Sequence, residues 1–386
     1  MQLIVIVLDG VGIGNAPDAA LFGDEGSNTL VNTANAVGGL HIPNLQALGL
    51  GNLDKIEGVA PITPPVGSFG RLRELSNGKG STVGHWELMG IITKRPFPTY
   101  PNGFPPDVID EFKKRIGRDI LGNIPASGTV IIEQLGKEHI RTGCPIVYTS
   151  ADSVFQIAAH KEIVPLETLY EWCRIAREIL TGDNAVARVI ARPFVGEPGN
   201  FTRTAERKDF SLPPPRDTVL DIAKSSGFDV VGIGKIEDLF AFRGLTESYH
   251  THRNPEGIEK IIEIAGEHRN GIIFANLIDF DQLYGHRNDP SGMAEALEEF
   301  DRYLPDIMAT IKENDYLFIT ADHGNDPTTP STDHSREEVP LLVFSRGKKG
   351  KALGTHHFCD LGATIADILG IDSTGCGESL LALISG

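Results

Sequence analysis

Short apolar runs that end at acidic residues are the feature that most constrains this fold. The first run, LIVIVL at residues 3–8, stops at Asp9 and Gly10, as is typical of a strand buried on both faces. In the second half of the chain, similar apolar runs alternate with helical patterns. The apolar runs occupy residues 229–234, 272–279, 316–322 and 339–345. The helical patterns lie near residues 217–226, 255–267, 291–312 and 360–369. This alternation predicts an α/β fold in which helices cover both faces of a mostly parallel sheet.

Two proline clusters interrupt this pattern. Residues 94–107 contain five prolines, and a second cluster occupies 213–215. Such clusters often mark domain boundaries. We expect a core domain built from residues 1–94 and 216–386, with residues 95–215 inserted as an α/β cap. The alternative is that both clusters are ordinary loops of a single domain.

Composition excludes several classes of partner. The formal net charge is −17, from 52 acidic and 35 basic residues, so the chain has no electrostatic footprint for nucleic acid or an anionic membrane. The four cysteines show no CxxC spacing, which favours a reducing compartment. The first apolar run is too short for a signal peptide or a membrane span. We expect a cytoplasmic protein that acts on a small molecule, and we predict no protein partner.

Carboxylates and imidazoles follow several of the predicted strands. Taken singly, each has an ordinary explanation, such as a helix cap. The carboxyl ends of parallel strands, however, meet at one sheet edge, where open α/β folds bind ligands. Oxygen and imidazole ligands without thiolate favour manganese, magnesium or zinc, and six of them suffice for a pair of metals that clamps a displacement at phosphorus. The six candidate ligands are Asp9, Asp281, His286, Asp322, His323 and His334.

The segment GKGSTVGHWE at 78–87 offers a hydroxyl nucleophile. Ser81 and Thr82 lie between small residues, ahead of a helix expected to start near Val83, whose N–H groups would face a phosphate. An ordinary helix N-cap is the alternative reading of the same residues. Neither nucleotide-binding loop fits, since Asn15 replaces a glycine of the dinucleotide pattern and Gly80 replaces the hydroxyl of the Walker pattern.

Longer motifs carry a resemblance to a known family. The segments LDGVGIGNAPDA, GHWELMG, PASGT, TSADSVFQIAAH, RPFVGEPGNFTRT, DFDQLYGHR and TADHGNDP followed by TDH closely resemble phosphopentomutase, over essentially the whole chain. That family belongs to the alkaline-phosphatase superfamily, so the resemblance implies an alkaline-phosphatase-like core. It also implies interconversion of α-D-ribose 1-phosphate, or its 2-deoxy analogue, with the 5-phosphate.

The resemblance also implies cofactors and a grouping of the ligands. Two Mn²⁺ ions are expected, with Mg²⁺ or another divalent metal as the alternative, and ribose 1,5-bisphosphate or glucose 1,6-bisphosphate would prime the enzyme. One metal would be held by Asp9, Asp322 and His323. The other would be held by Asp281, His286 and His334.

The chain departs from the family at the nucleophile. The family's usual stretch is G-K-D-T-x-T-G-H-W-E, whose first threonine is phosphorylated. Ser81 stands at that position here, and Gly80 replaces the acidic neighbour. The related cofactor-independent phosphoglycerate mutase has S-x-V-G-H with a nucleophilic serine, which favours Ser81. Thr82 remains the alternative.

Substrate contacts are also implied by resemblance. Asp152 would bind ribose hydroxyls, while Arg188, Arg203 and Lys235 would face the non-transferring phosphate, although solvated surface charge is the alternative for these residues. His356 and His357 are expected at the surface. The rival functions are a metal-dependent phosphatase or phosphodiesterase, a phosphoglycerate mutase, and a metal-binding protein without turnover.

Overall fold

The computed structural model describes residues 1–150 and 153–385, and the chain divides into two compact units. The larger comprises Met1–Arg95 and Pro214–Gly386, and the smaller comprises Pro96–Pro213. Both junctions fall within the proline clusters.

The strands and helices of both units are numbered together in chain order. The strands are β1 Gln2–Leu8, β2 Ser68–Arg73, β3 Leu121–Pro125, β4 Ile146–Thr149, β5 Val154–His160, β6 Arg188–Glu197, β7 Asn200–Arg203, β8 Lys208–Ser211, β9 Asp229–Ile233, β10 Glu247–Tyr249, β11 Gly271–Leu277, β12 Tyr316–Thr320, β13 Val339–Phe344 and β14 Ala352–His357. The α-helices are α1 Thr29–Val37, α2 Pro43–Ala47, α3 Ser81–Leu88, α4 Pro106–Ile116, α5 Gly128–Thr142, α6 Leu166–Ile179, α7 Val219–Ser225, α8 Ile236–Leu239, α9 Asn254–Gly266, α10 Pro290–Thr310, α11 Phe358–Leu369 and α12 Leu381–Ile384.

The larger unit is built on an eight-stranded sheet. Its strand order is β10-β9-β11-β1-β12-β13-β2-β14, and β13 alone among these strands runs against the rest. β1 lies in the middle with every residue buried, as its uninterrupted apolar sequence requires. The predicted α/β class and mostly parallel sheet are confirmed.

Strand β13 departs from the alternation of strands and helices. The connection 321–338 from β12, all of it described, contains no helix, so β13 returns antiparallel to β12. A parallel return would have needed a crossover segment, usually a helix. Because of this reversal, the start of β13 lies at the same sheet edge as the ends of β1 and β12.

The helices of the larger unit begin at recognisable caps. Asn28 accepts a hydrogen bond from Val31 N at the start of α1, and Asp289 accepts one from Gly292 N at the start of α10. Such caps satisfy N–H groups that the helix leaves free and stabilise it by about 1 kcal/mol each. His356 and His357, expected at the surface, are half-buried at the end of β14, where Asp360 accepts a hydrogen bond from His357 N.

The smaller unit has its own mixed sheet and core. Its strand order is β3-β4-β5-β6-β7, with β8 also paired to β6. Side chains alternate between the two faces of the sheet. One face packs with residues of α4 and α6, including Phe112 and Trp172, and the other packs with α5 through Ile131 and Ile132. This unit therefore buries apolar side chains on both faces of its sheet.

A helix that crosses a bilayer needs about 20 consecutive, mostly apolar residues. Among the described residues, no helix is both long enough and apolar enough to span a membrane.

Candidate active site

Two adjacent strands in the centre of the larger sheet deliver three of the predicted ligands. Asp9 follows β1, and Asp322 and His323 follow β12, which pairs with β1 in parallel. All three side chains are buried, with at most 1% of their surface exposed. The strand register therefore brings these residues to one sheet edge, as the sequence predicted.

The other three come from connections on either side of this pair. Asp281 lies in a π-helical turn, Phe280–Tyr284, beyond the end of β11, and His286 lies in the following 3₁₀ turn. His334 lies in the connection that leads into β13.

Asp281, His286 and His334 form one compact group. His286 Nε2 lies 3.2 Å from Asp281 Oδ2, and His334 Nε2 lies 3.3 Å from Asp281 Oδ1. The three ligand atoms lie within 4.8 Å of one another, close enough to bind one metal ion. This is the trio that the resemblance assigned to a single metal.

The second group differs in one member from the expected set. It contains Asp9, Asp281 and His323, whose ligand atoms again lie within 4.8 Å of one another, and His323 Nε2 is 3.4 Å from Asp9 Oδ1. Asp322, expected here, lies close by, with its Oδ2 atom 3.4 Å from His323 Nε2. The carboxylate of Asp281 is therefore common to both groups.

Mutual charge determines the protonation of the site. Burial opposes ionisation of Asp281, yet His334 and His286 hold its pKa well below the usual range. For His323, burial lowers the pKa, but Asp322 and Asp9 outweigh burial and raise it to about 10. Asp281 likewise raises the pKa of His286 to about 9 against the effect of burial. At neutral pH the Asp281 carboxylate is therefore ionised, and His286 and His323 are imidazolium groups.

The donor set fits divalent cations. Asp322 Oδ2 and His334 Nε2 are buried, and their polar neighbours are ionisable groups: His85 Nδ1 lies 3.1 Å from Asp322 Oδ2, and Asp281 Oδ1 lies 3.3 Å from His334 Nε2. Neither contact has the geometry of a regular hydrogen bond, and buried polar atoms without one are rare, so their convergence points to a ligand. Carboxylate and imidazole donors suit manganese, magnesium or zinc. The residues therefore fit the metals that the resemblance implied.

Ser81 is placed against this cluster. Its Oγ atom lies 3.4 Å from Asp9 Oδ1 and 3.3 Å from His323 Nε2. Helix α3 begins at Ser81, so the expectation of a start near Val83 is wrong by two residues. The helix starts earlier because Gly80 serves as its N-cap. Thr82, the alternative nucleophile, is the next residue of α3, and the contacts with Asp9 and His323 belong to Ser81.

Gly80 has a backbone conformation that only glycine adopts readily. Its φ is 145° and its ψ is 163°. A side chain at this position would begin 3.0 Å from His334 Nδ1. The absence of a side chain thus allows the backbone next to Ser81, the candidate nucleophile, to lie directly beside a candidate metal ligand.

His85, which sequence reasoning treated only as part of the nucleophile motif, links Ser81 to Asp322. Its Nδ1 atom lies 2.8 Å from Ser81 O and 3.1 Å from Asp322 Oδ2, and its Nε2 atom lies 3.3 Å from Asn276 Nδ2. With Asn276 as the donor to Nε2, the proton resides on Nδ1. The i, i+4 spacing from Ser81 was the available sequence signal.

Lys235 also lies at the cluster. It follows β9 and caps α8, and its Nζ atom is 3.4 Å from Asp9 Oδ2. Sequence reasoning had assigned this residue to the non-transferring phosphate. The structure places its ammonium group beside Asp9, a candidate metal ligand that also contacts Ser81.

The remaining predicted residues belong to the smaller unit. Arg188 begins β6, with Nη1 3.5 Å from Asp209 Oδ2. Arg203 ends β7, and its side chain is exposed. Its guanidinium group lies beside Gly128, the first residue of α5: a Cβ atom added to Gly128 would be 3.4 Å from Arg203 Nη1. Asp152 lies outside the described residues.

Comparison with known proteins agrees with this chemistry. The model of the metalloenzyme superfamily matches residues 1–373. The phosphopentomutase of Dictyoglomus thermophilum is 60% identical over 385 residues, covering 99% of this chain and 98% of that protein. The chain belongs to the phosphopentomutase family. It is therefore a metalloenzyme of the isomerase class.

Other relatives and structures extend the comparison. The phosphopentomutase of Thermotoga maritima is 58% identical, with complete coverage of both chains. Among solved structures, a Leishmania mexicana phosphoglycerate mutase aligns over 98% of this chain and 97% of that chain, with a TM-score of 0.49 and 12% identity.

Proposed function

We propose that this enzyme interconverts α-D-ribose 1-phosphate, or its 2-deoxy analogue, with the corresponding 5-phosphate, and that Ser81 carries the phosphoryl group between turnovers. The observation that carries the proposal is the contact of Ser81 Oγ with Asp9 and His323, which belong to a cluster of candidate metal ligands. Near-complete coverage by relatives named phosphopentomutase supports the same reaction.

Two divalent cations, which we propose to be Mn²⁺, would be held by the six residues and would neutralise charge on the transferring phosphoryl group. The protein's own groups perform the remaining tasks. Asp9 lies on the proton side of the Ser81 hydroxyl and accepts its hydrogen bond. The free N–H groups at the start of α3 face the phosphate, and Lys235 adds positive charge beside Asp9.

The proposed cycle begins with phosphorylated Ser81. Its phosphoryl group passes to O1 of ribose 5-phosphate, so that the bond from Ser81 Oγ to phosphorus breaks and a 1,5-bisphosphate forms. The bisphosphate then presents its other end, and Ser81 Oγ attacks the phosphorus of the 5-phosphate. The C5 oxygen leaves as the hydroxyl of ribose 1-phosphate. Ribose 1,5-bisphosphate or glucose 1,6-bisphosphate would load the enzyme initially.

We propose that the smaller unit is an inserted cap that carries substrate recognition. Arg188 and Arg203 are candidates for the non-transferring phosphate, because guanidinium groups match phosphate geometry. Asp152 is the candidate for the ribose hydroxyls. Lys235 stays a candidate for phosphate binding, and its contact with Asp9 favours the transferring group.

A coupled assay separates this function from its rival. Purified enzyme is given ribose 5-phosphate, Mn²⁺ and glucose 1,6-bisphosphate, and both ribose 1-phosphate and inorganic phosphate are measured. We expect ribose 1-phosphate as the main product. Inorganic phosphate as the main product would show a phosphatase instead, and the proposed mutase function would be wrong.

A further inference from the structure

Glu337 is a buried carboxylate outside the group of candidate metal ligands. Only 2% of its surface is exposed, and none of the ion pairs found in the described part of the chain includes it. Instead it accepts hydrogen bonds from Thr29 N at 2.9 Å, from Thr29 Oγ1 at 2.9 Å and from Ser335 Oγ at 2.7 Å. Burying a carboxylate without a cation is costly, and these three hydrogen bonds offset part of that cost.

The carboxylate of Glu337 lies between two loops that carry candidate metal ligands. A side chain on Gly12, in the loop that begins with Asp9, would start 2.3 Å from Glu337 Oε2. A side chain on Gly324, directly after His323, would start 2.4 Å from Glu337 Oε1. Both loops therefore pack their backbones against this one carboxylate.

A chain of hydrogen bonds leads from Glu337 to Asp281. Thr29 Oγ1 donates its single proton to Glu337 Oε1, which leaves its lone pairs to accept a hydrogen bond from Asn325 N at 3.1 Å. Asn325 Nδ2 in turn donates to Asp281 Oδ1 at 2.7 Å. The Glu337 carboxylate thus fixes the orientation of the Thr29 hydroxyl group. This hydroxyl in turn fixes the position of Asn325 through its backbone N–H group.

We propose that Glu337 is a positioning residue, which through Thr29 and Asn325 orients the Asp281 carboxylate that the two candidate metal groups have in common. This inference rests on the proposed use of two cations. The carboxylate of Glu337 accepts hydrogen bonds from Thr29 and Ser335 and does not belong to either candidate metal group, so we expect it to act on metal affinity. Outer partners of metal ligands commonly change affinity by about 10- to 100-fold.

The test measures Mn²⁺ binding to the metal-free, full-length protein by isothermal titration calorimetry. We expect Glu337→Gln and Thr29→Val to weaken binding of Mn²⁺ by about tenfold. Thr29→Ser keeps the hydroxyl and should restore most of the affinity. Turnover should return toward the wild-type value when Mn²⁺ saturates each variant.

Asp301→Asn is the matched control. Asp301 is another buried carboxylate whose donors include backbone N–H groups, those of Asn44 and Leu45, but it lies outside the ligand set. We expect this control to lower thermal stability and to leave Mn²⁺ affinity unchanged. If Thr29→Val folds and binds Mn²⁺ as tightly as Thr29→Ser, the positioning role is wrong.

Failure of the proposed function gives a different result. If the wild type bound no Mn²⁺, or bound it and released only inorganic phosphate, the proposed function would be overturned. If the wild type bound Mn²⁺ and catalysed the mutase reaction while Glu337→Gln matched its affinity, only the positioning role would fail.

Discussion

The two units of this enzyme differ in which charged side chains they carry and in how exposed these side chains are. The larger unit buries carboxylates and imidazoles at one sheet edge, where Asp9, Asp281 and Asp322 are at most 3% exposed. The smaller unit presents arginines, with Arg203 exposed at the end of β7 and Arg192 half-buried on β6. Burial, followed by the charge of Arg207, lowers the pKa of Arg192 to about 10. We propose that the larger unit binds the metal cations and that arginines of the smaller unit bind the substrate phosphate, the two tasks of a metal-dependent phosphoryl transfer.

The largest effect should come from the nucleophile in the larger unit. Ser81→Ala removes the hydroxyl that contacts Asp9 and His323, so we expect mutase turnover to fall by at least about a thousandfold. Thr82→Ala, the adjacent control, should retain most of the turnover. Steady-state kinetics of the two variants distinguish Ser81 from Thr82 as the phosphorylated residue. Loss of turnover in Thr82→Ala but not in Ser81→Ala would assign the phosphate to Thr82.

Loss of the shared carboxylate should have the next largest effect. Asp281→Asn removes a charge common to both metal groups, so we expect turnover at a fixed low Mn²⁺ concentration to fall by about a hundredfold or more. Mn²⁺ titration should show weaker binding at both sites. Asp119→Asn in the smaller unit is the control and should bind Mn²⁺ normally. Loss of only one of two bound ions would contradict the shared role of Asp281.

The smaller unit should respond in substrate affinity rather than in metal binding. Arg203→Met would remove the phosphate contact that we propose for this residue, so we expect KM for ribose 5-phosphate to rise by about tenfold or more while Mn²⁺ affinity stays unchanged. Arg174→Met removes an exposed arginine that pairs with Glu171 on α6, and it should leave KM unchanged. A change in the Mn²⁺ affinity of Arg203→Met would contradict the proposal that the larger unit binds metal and the smaller unit binds substrate.

A smaller effect is expected from Gly80→Ala. The new side chain would have to adopt a glycine-only conformation and would begin 3.0 Å from His334 Nδ1. We expect a cost of about 1–3 kcal/mol in stability and weaker Mn²⁺ binding. Gly78→Ala is the matched control, because the nearest atoms to its new side chain would belong to Val83, at 3.4 Å, an ordinary van der Waals distance. Equal melting temperatures and equal Mn²⁺ affinities for the two variants would contradict this account of Gly80.

The smallest effect concerns pH in the absence of metal. His323 and His286 have folded-state pKa values raised to about 10 and about 9, above the value of roughly 6.5 for an unfolded histidine. Their contribution to stability is complete below pH 6.5 and is lost as pH rises through 9 to 10. The melting temperature of EDTA-treated enzyme should therefore fall between pH 7 and pH 10, more than that of Mn²⁺-loaded enzyme. Parallel curves would contradict these assignments.

Much of this arrangement could be predicted from the sequence. The apolar runs and the residues that follow them placed Asp9, Asp322 and His323 at one sheet edge, because strand ends in a parallel sheet meet there. The direction of β13 was not predictable in the same way, since a fully buried strand has the same apolar pattern whether it runs parallel or antiparallel.

Other features depend on side-chain reach that no sequence pattern encodes. Asp281 joins both metal groups because its turn lies beyond the end of β11, the strand next to β1. Glu337 looks like surface charge in the run Arg336-Glu337-Glu338, yet it is buried between two glycine-containing loops. Such placements follow from tertiary packing, and only the structure reveals them.

Phosphopeptide mapping tests the central claim most directly. Enzyme incubated with Mn²⁺ and glucose 1,6-bisphosphate is digested and analysed by mass spectrometry. We predict one phosphate on the peptide that contains residues 78–87, localised to Ser81 and removed when ribose 5-phosphate is added. Phosphate on Thr82, or an enzyme that turns over without any phosphorylated residue, would contradict the account.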